Sequence, residues 1–342
     1  MKSSTRRAFL ASSIKAALFG AYALNAEAFA QSTRWSNWSG GQTCQPAGRY
    51  DIGSEDELAS LLRNTLGPIR PIGSGHSFSP LVPTDGHLVV IDQLNGVLEY
   101  DSNSLQATLG AGSRLGDLGA QLEAIGQGMF NLPDIDRQTV AGATATGTHG
   151  TGVTLQNLSS YITSLRLITP RGEVMDIDAG DGDLFDAARV NLGALGVVTQ
   201  TRMQNREAYK LKKREWTAPT EDILANFDEL AASHRHFEIF PLVYSDYSLV
   251  LSIDESNDAI GQTIIVPEEV TEVGNARQLA ANAPPAERRR MLNAVFANSE
   301  ITEAVDVSYK LLSNVRNGRF NEMEYSVPAE VGAECVREIL KT

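Results

Sequence analysis

The sequence predicts a mixed fold, of α+β or α/β type, with many short strands in two domains. A helix is predicted from residue 54, where the capping box at residues 54–57 precedes leucines at positions 58, 61 and 62 on one face. Short apolar runs bounded by glycine and proline then alternate with helical patterns, as expected for a fold that mixes helices and strands. From about Asn205 the pattern changes, with a basic run at residues 210–214 and a new series of strand-like segments. A second domain is therefore predicted after Asn205.

The first half continues with short strands that are separated by glycine-rich segments. Residues 68–72 form a predicted strand that leads directly into a Gly/Ser loop. The remaining elements are strands at 87–91 and 105–109, a helix near 115–125, a Gly/Thr/Ala-rich stretch at 140–152, and strands at 162–168, 173–176 and 197–202.

The second half contains predicted strands at residues 237–240 and 247–251, and a polar surface helix with its approach loop at residues 280–298. A strand at residues 323–327 and a helix at residues 329–341 close the sequence. A strand–helix pair of this kind needs a following strand to cover its apolar surface. We therefore expect the second half to be cut short, either in a fragment or in a truncated gene, or to be completed by a part supplied elsewhere.

Composition and charge narrow the class of protein. The 342 residues include 42% apolar and 21% charged side chains, which is typical of a globular chain. The formal net charge of −13 argues against a nucleic-acid partner, because binding phosphates needs a basic surface. We predict no metal site. Cys44 and Cys335 could pair in an exported protein, but Cys335 falls on an apolar helical stripe, which favours a buried free thiol.

The N-terminus predicts an export signal at residues 1–30. Arg6 and Arg7 precede a mostly apolar run at residues 14–30, and Ala28-Phe29-Ala30 offers a cleavage site before Gln31. The paired arginines indicate the twin-arginine route, which exports folded proteins, and an ordinary secretory signal is the alternative. The apolar run is too weak for a membrane span. We expect an extracytoplasmic protein, and the sequence leaves association with a membrane surface open.

The first candidate site is the loop Gly73-Ser74-Gly75-His76-Ser77-Phe78, which follows a predicted strand. Two glycines allow successive backbone N–H groups to turn inward and bind an anion such as a pyrophosphate. His76 would then lie close to whatever carries the phosphates. A plain turn with an exposed histidine is the alternative.

The second candidate site is the Gly/Thr/Ala-rich stretch at residues 140–152. Small residues allow a chain to run flat against a ligand, with amides and hydroxyls available as donors, and such a run offers a packed core almost no apolar volume. His149 could act as a base, but a loop residue fixed by neighbouring amides is the simpler interpretation. A third glycine-rich segment, at residues 110–116, departs from the dinucleotide-binding spacing, and we interpret it as a structural turn.

Together these segments resemble the PCMH-type FAD-binding domain of the vanillyl-alcohol oxidase superfamily. Its G-x-x-H-S loop matches residues 73–77, and its A-G-A-x-A-T-G-T-H-G stretch matches residues 141–150. Residues 35–38 and 236–241 further resemble the aldonolactone and alditol oxidases within that superfamily.

The resemblance implies an α+β protein with a two-subdomain FAD-binding domain at residues 31–205 and an incomplete α+β substrate domain at residues 206–342. It implies that the two loops enclose the FAD and that His76 is joined covalently to the 8α-methyl of the flavin. Residues 195–198 resemble the strand that covers the adenine. The implied cofactor-binding residues, besides His76, are Gly73, Ser74, Gly75, Ser77, Phe78, Ala141, Gly142, Thr146, Gly147, Thr148, His149, Gly150 and Val197.

The resemblance also implies the reaction, which is oxidation of a CH–OH group of a sugar lactone or polyol with oxygen as the acceptor and hydrogen peroxide as a product. The family's Glu-x-Arg pair and its lysine are expected beyond Thr342, so that Thr139, Ser113 and His149 are the weak catalytic candidates within the sequence. The alternatives are an FAD-binding remnant without a substrate site and a reductase with the same FAD domain.

Overall fold

The structure is a computed structural model that describes residues 34–261, 278, 281–314, 316 and 318–341. The predicted export signal lies outside the described residues. None of the helices in this part of the chain combines the length and the apolar character that crossing a bilayer requires. The described strands form five sheets, three of which position the candidate site.

The N-terminal part consists of a small hairpin and a three-stranded parallel sheet with the order β3–β5–β4. Pro71 is tolerated because β4 is an edge strand of this sheet. The elements are β1 (Trp35–Ser36), β2 (Thr43–Cys44), β3 (Gly48–Asp51), α1 (Glu55–Asn64), β4 (Ile69–Ile72) and β5 (His87–Val90).

Only half of the predicted capping box forms at the start of α1, because Ser54 caps the helix but Glu57 reaches the N–H of Gly53 and not that of Ser54. Ser54 Oγ accepts a hydrogen bond from Glu57 N at 3.2 Å, and Glu57 Oε2 accepts one from Gly53 N at 2.9 Å. One N–H group of the first helical turn, that of Glu57, and the N–H of Gly53 before the helix are therefore satisfied by side chains. Leu58 and Leu62 are buried, as the leucine spacing predicts.

A five-stranded antiparallel sheet with the order β10–β9–β11–β7–β6 follows. The parallel and antiparallel strands lie in separate sheets, which confirms the α+β class. The elements of this part are β6 (Val97–Asp101), β7 (Gln106–Gly110), α2 (Leu115–Ala124), β8 (Gln127–Gly128), α3 (Val140–Ala145), β9 (Ile162–Ile168), β10 (Val174–Asp178), α4 (Asp183–Arg189) and β11 (Val197–Gln204), with 3₁₀ turns at Leu158–Tyr161 and Ala179–Asp181.

The last part forms a four-stranded antiparallel sheet with the order β14–β15–β13–β16, and β12 pairs with β8. The basic run at residues 210–214 lies within β13. The elements are β12 (Arg206–Glu207), β13 (Lys210–Pro219), α5 (Thr220–Ala225), α6 (Phe227–Ser233), β14 (His236–Pro241), β15 (Tyr247–Glu255), α7 (Pro285–Phe296), β16 (Thr302–Val307), α8 (Ser308–Leu311) and α9 (Gly332–Leu340), with a 3₁₀ turn at Ala329–Val331.

Two expectations for the C-terminal segment are wrong. Residues 323–327 pair with no described strand, and the side chains of Met323 and Tyr325 are each 80% exposed, because this segment runs along a cleft instead of a sheet edge. Cys335 is only partly buried, because α9 buries none of its side chains against the described residues. Cys44 and Cys335 are both free thiols.

Two apolar clusters connect the sheets. The first packs α1 and α4 between the parallel sheet and the five-stranded sheet, with Leu58, Val89 and Leu167 among its members. The second joins α2 and the five-stranded sheet to the four-stranded sheet, and includes Leu109, Leu211 and Ile253. The segments that follow these strands and helices converge on one cleft.

Candidate functional site

A cleft of about 1040 Å³ lies where the loop after β4, the segment around α3 and the strand β14 meet. Its volume is at the upper end of the range for ligand-binding pockets. It contains the predicted histidine loop at one part of its wall and several ionisable side chains at another.

The loop of residues 73–78, called loop one below, is held by the N-terminal hairpin. Gly75 has a φ of +69°, a conformation that glycine adopts readily, and its carbonyl accepts a hydrogen bond from Trp38 N at 2.7 Å. The buried Asn37 donates from Nδ2 to Ser77 O at 3.1 Å. Gln42 donates from Nε2 to Phe78 O at 3.2 Å. The hairpin therefore fixes the backbone of loop one by three hydrogen bonds.

His76 lies half-buried at the cleft, stacked on Trp38 with ring centroids 5.0 Å apart. Partial burial lowers the pKa of His76, and the positive charges of Arg114 and Arg137 lower it further. Neither ring nitrogen hydrogen-bonds to another described residue. His76 is therefore neutral at pH 7, and one nitrogen keeps its lone pair available to a ligand.

Arg114 and Arg137 also connect loop one to its surroundings. Ser74 Oγ donates to Arg137 O at 2.5 Å and accepts from Arg114 Nη1 at 3.3 Å. Arg114 forms an ion pair with Asp92 at 3.2 Å. The cationic groups near His76 suit an anionic ligand in this part of the cleft.

The stretch at residues 140–152 is not flat throughout, because its first six residues form α3. Thr139 Oγ1 caps this helix by accepting from Gly142 N at 3.2 Å. Val140 and Ala143 are each 0% exposed and pack in the second apolar cluster. The expectation that this run serves no packed core is therefore wrong for α3: the small side chains allow the helix to lie close to its neighbours.

The second half of the stretch, residues 146–152 (loop two below), lies along the cleft. Gly147 has a φ of +69°, and Thr148 N returns to Ala143 O at 3.0 Å to close the end of α3. A Cβ at Gly150 would lie 2.3 Å from both Asn131 Oδ1 and Leu132 O. Asn131 is 1% exposed and donates from Nδ2 to Thr151 O at 3.1 Å. Loop two is thus fixed against a buried amide that only glycine can approach.

His149 is fixed by the peptide carbonyl of its neighbour Gly150 and by a carboxylate. Its Nδ1 lies 2.8 Å from Gly150 O, and its Nε2 lies 2.9 Å from Glu324 Oε1. Its side chain is 51% exposed. Both partners are acceptors, so that both contacts are hydrogen bonds only when both ring nitrogens carry a proton, or when Glu324 does. His149 therefore ties loop two to the extended segment at residues 321–328.

A polar end of the cleft is formed by Thr151, His236 and Glu238. His236 Nδ1 lies 3.0 Å from Thr151 O, and Thr151 Oγ1 donates to Glu238 Oε1 at 3.0 Å. Burial lowers the pKa of His236 to about 4, with a further contribution from Arg235. Burial raises the pKa of Glu238, and the negative charge of Asp134 adds to this effect. The two side chains follow each other at alternate positions of β14, which places both on the cleft face.

Asp134 and its partners form the wall next to the polar end. Asp134 Oδ2 accepts from Arg316 Nη2 at 2.9 Å, and its Oδ1 accepts from Asn314 Nδ2 at 2.5 Å. Glu322 lines the same wall, and burial together with Asp134 raises its pKa. This region therefore offers carboxylate oxygens to a ligand.

The structure places Thr139 and all the predicted cofactor-binding residues along this one cleft. Ser113 is not among its lining residues: it is 4% exposed, and its hydroxyl donates to Gly110 O at 2.7 Å and accepts from Gly96 N at 2.8 Å within a turn. The predicted residues that do line the cleft are Gly73, Ser74, Gly75, His76, Ser77, Phe78, Thr139, Ala141, Gly142, Thr146, Gly147, Thr148, His149, Gly150 and Val197.

Sequence reasoning missed several residues of the site. Trp38 and the pair His236 and Glu238 lie in segments recognised only as family signatures, and the alternation of polar side chains along β14 was the available signal for the pair. No motif or periodicity in the sequence marked Asp134 or Glu322 as residues of the site.

The residues of the cleft fit an FAD. Two loops supply backbone N–H groups and hydroxyls for a pyrophosphate, and arginines lie near the histidine loop. The neutral, half-buried His76 has no protein partner at its ring nitrogens among the described residues, which suits a bond to the cofactor.

Comparison with known proteins agrees with this assignment. A family model described as FAD binding domain matches residues 46–178, and one described as D-arabinono-1,4-lactone oxidase matches residues 201–342. An L-gulono-1,4-lactone dehydrogenase of Mycobacterium tuberculosis is 36% identical over 320 residues, which cover 90% of this chain and 73% of that protein. The mouse L-gulonolactone oxidase is 29% identical over 231 residues, and the match spans 52% of that protein.

Solved structures support the fold. A cholesterol oxidase of Brevibacterium sterolicum superposes with a TM-score of 0.66 at 18% identity, over 83% of this chain and 62% of the cholesterol oxidase. At this identity the similarity concerns the fold alone.

Proposed function

The chain belongs to the FAD-dependent aldonolactone oxidase family, and we propose that it oxidises a CH–OH group of a sugar lactone or polyol, with oxygen as the final acceptor and hydrogen peroxide as the product. The observation that carries the proposal is the convergence of His76, two glycine-rich loops and a polar end on one cleft. When bound, FAD supplies the two-electron acceptor for the hydride. The residues of the chain bind it and orient the substrate.

Loop one and loop two hold the pyrophosphate by backbone N–H groups, which glycine allows to point inward. Ser77 adds a hydroxyl, since those of Ser74 and Thr146 already donate to backbone carbonyls. Arg114 and Arg137 lower the pKa of His76 and favour the negative charge of the cofactor. The stacked Trp38 limits rotation of the histidine ring.

His76 is proposed as the covalent link to the flavin. Its lowered pKa keeps a nitrogen unprotonated at neutral pH, which the bond requires. The bond would join that nitrogen to the 8α carbon of the flavin; the proton of the other ring nitrogen and one hydrogen of the methyl group would be lost, and oxygen would take up the two electrons and two protons. His76→Ala is expected to abolish flavin fluorescence in a denaturing gel, whereas His87→Ala, in which a histidine of β5 is changed, keeps it. A flavin that stays attached in His76→Ala would remove His76 from this role.

The central experiment is anaerobic reduction of the bound flavin by a panel of sugar lactones and alditols. Bleaching of the visible spectrum by one of them, followed by recovery and peroxide formation on admitting air, is the expected result. Bleaching that recovers only with an artificial acceptor would make the protein a dehydrogenase. A bound flavin that none of the compounds bleaches would contradict the proposed activity.

We also propose that residues 1–30 direct export by the twin-arginine route, on the strength of Arg6 and Arg7 before the apolar run. Replacing both arginines by lysine is expected to retain the protein in the cytoplasmic fraction. Unchanged export of that variant would favour the ordinary secretory route.

A further inference from the structure

The polar end of the cleft contains a buried histidine with an unsatisfied acceptor. His236 is 1% exposed, and its Nδ1 lies 3.0 Å from Thr151 O. A carbonyl oxygen only accepts, so that Nδ1 carries the proton and Nε2 carries a lone pair. Nε2 is buried and has no hydrogen-bond partner among the described residues. A buried acceptor in this state lacks the donor it would have in water.

Glu238 is a second acceptor with unused capacity. Thr151 Oγ1 has one hydrogen and donates it to Oε1. Within the described part of the chain, no ion pair and no further hydrogen bond reaches this carboxylate. The nearby cations are engaged elsewhere: Lys213 lies 2.8 Å from Glu215, and Arg316 pairs with Asp134. Glu238 therefore keeps lone pairs for a ligand in the cleft.

We propose that Glu238 and Nε2 of His236 each accept a hydrogen bond from a hydroxyl group of a neutral, polyhydroxylated lactone, and that these contacts select the substrate. The inference rests on the proposed function, because it assumes that a lactone enters this cleft. Two acceptors without a free donor beside them match a ligand that brings O–H donors, and they repel an anionic one. Thr151 keeps both acceptors in place through its carbonyl and its hydroxyl.

The selectivity follows from the unpaired acceptors. A lactone that lacks the hydroxyls leaves both of them buried and unsatisfied, whereas a polyhydroxylated lactone pairs both. Discrimination of at least tenfold is therefore expected, equivalent to about 1.4 kcal/mol.

The experiment uses the flavin-containing full chain with its flavin reduced beforehand by dithionite, so that a ligand binds without turnover. Calorimetric titrations compare L-gulono-1,4-lactone with the unsubstituted five-membered lactone. Glu238→Gln is expected to weaken binding of the first about tenfold and to leave the second unchanged. His236→Asn, which keeps a donor at the place of Nδ1 and removes Nε2, is expected to give the same pattern. Glu300→Gln, a change at an exposed carboxylate, serves as the control.

Equal losses for both ligands, or unchanged selectivity in both variants, would overturn the inference. Tighter binding of methylammonium than of the hydroxylated lactone would also overturn it, because the acceptors would then serve a cation. Reduction of the oxidised wild-type flavin by lactones tests the proposed function separately. If bleaching occurs and selectivity is independent of Glu238 and His236, the inference alone fails.

Discussion

Gly73 of loop one lies in direct contact with Thr139, the residue that caps α3, and Gly73→Ala tests how tightly the two are packed. A Cβ at Gly73 would lie 2.3 Å from Thr139 Oγ1 and 3.3 Å from Thr139 Cβ. Non-bonded carbon atoms in a packed interior are normally about 3.5–4.0 Å apart. Thr139 is 2% exposed and has little space into which it can move. The methyl group must therefore displace the hydroxyl that caps α3.

The magnitude is the sum of two effects. Loss of the cap from Thr139 Oγ1 to Gly142 N costs about 1 kcal/mol. Forcing a methyl group into a packed contact costs about 1–3 kcal/mol more. Gly73→Ala is therefore expected to lower the free energy of unfolding by about 2–4 kcal/mol and to lower the fraction of protein that retains flavin. Urea unfolding and the ratio of flavin to protein absorbance measure the two effects.

The second variant in this test is Gly73→Ala combined with Thr139→Ala. Thr139→Ala alone removes the cap and the clashing oxygen, so that the double variant should lose little more than about 1 kcal/mol. Gly332→Ala is the control, because a Cβ there has no atom within 4 Å and the residue has a helical φ of −56°. Losses that add in the double variant, or a stability of Gly73→Ala within about 0.5 kcal/mol of the wild type, would refute the reasoning.

Three further predictions concern His236, Asn131 and Trp38. The pKa of His236 is about 4 in the folded chain and 6.5 ordinarily, so that the unfolded chain binds more protons between these values, and stability should fall by up to about 3 kcal/mol as the pH drops from 6.5 to 4. His236→Asn should remove this component in urea titrations at several pH values, and an identical pH slope would contradict it. Asn131→Ala should cost about 2–3 kcal/mol, since Leu132 N is left without its partner, and an unchanged urea midpoint would oppose this. Trp38→Ala should reduce gel fluorescence of attached flavin more than Trp38→Phe does, and equal signals would show that stacking on His76 is unimportant.

Much of the FAD-binding half could be predicted because its signals are local. The cap at Ser54 and the leucine spacing fix α1, and the Gly/Ser loop after β4 follows from glycine's backbone freedom. The glycine spacing around Ser113 correctly indicated a structural turn and not a dinucleotide-binding loop. Ser113 was also a catalytic candidate, but it does not reach the cleft.

The wrong expectations have physical reasons that lie outside local sequence. Small residues at positions 140–145 are compatible with either a flat loop or a closely packed helix, and the cap from Thr139 together with burial of Val140 decides for the helix. Residues 323–327 have strand-like alternation, but they pair with no described strand and follow the cleft instead.

The polar end was also beyond local reasoning. Thr151 and His236 are separated by 85 positions and meet only because β14 lies against loop two. The unsatisfied Nε2 depends on burial, which no motif indicates. The two unpaired acceptors can therefore be recognised only in the folded structure, where their distances and burial are known, and not from the order of residues in the sequence.

The apolar cluster that joins α2 to the four-stranded sheet determines whether the two halves of the chain can fold separately. The two family models divide the chain between residues 178 and 201, whereas this cluster crosses the division through Leu109, Leu211 and Ile253. A chain ended at Gln204 would leave the α2 side of the five-stranded sheet uncovered, and such a surface favours aggregation. The two matched segments are therefore not independent folding units, and heating should give one cooperative transition for both halves.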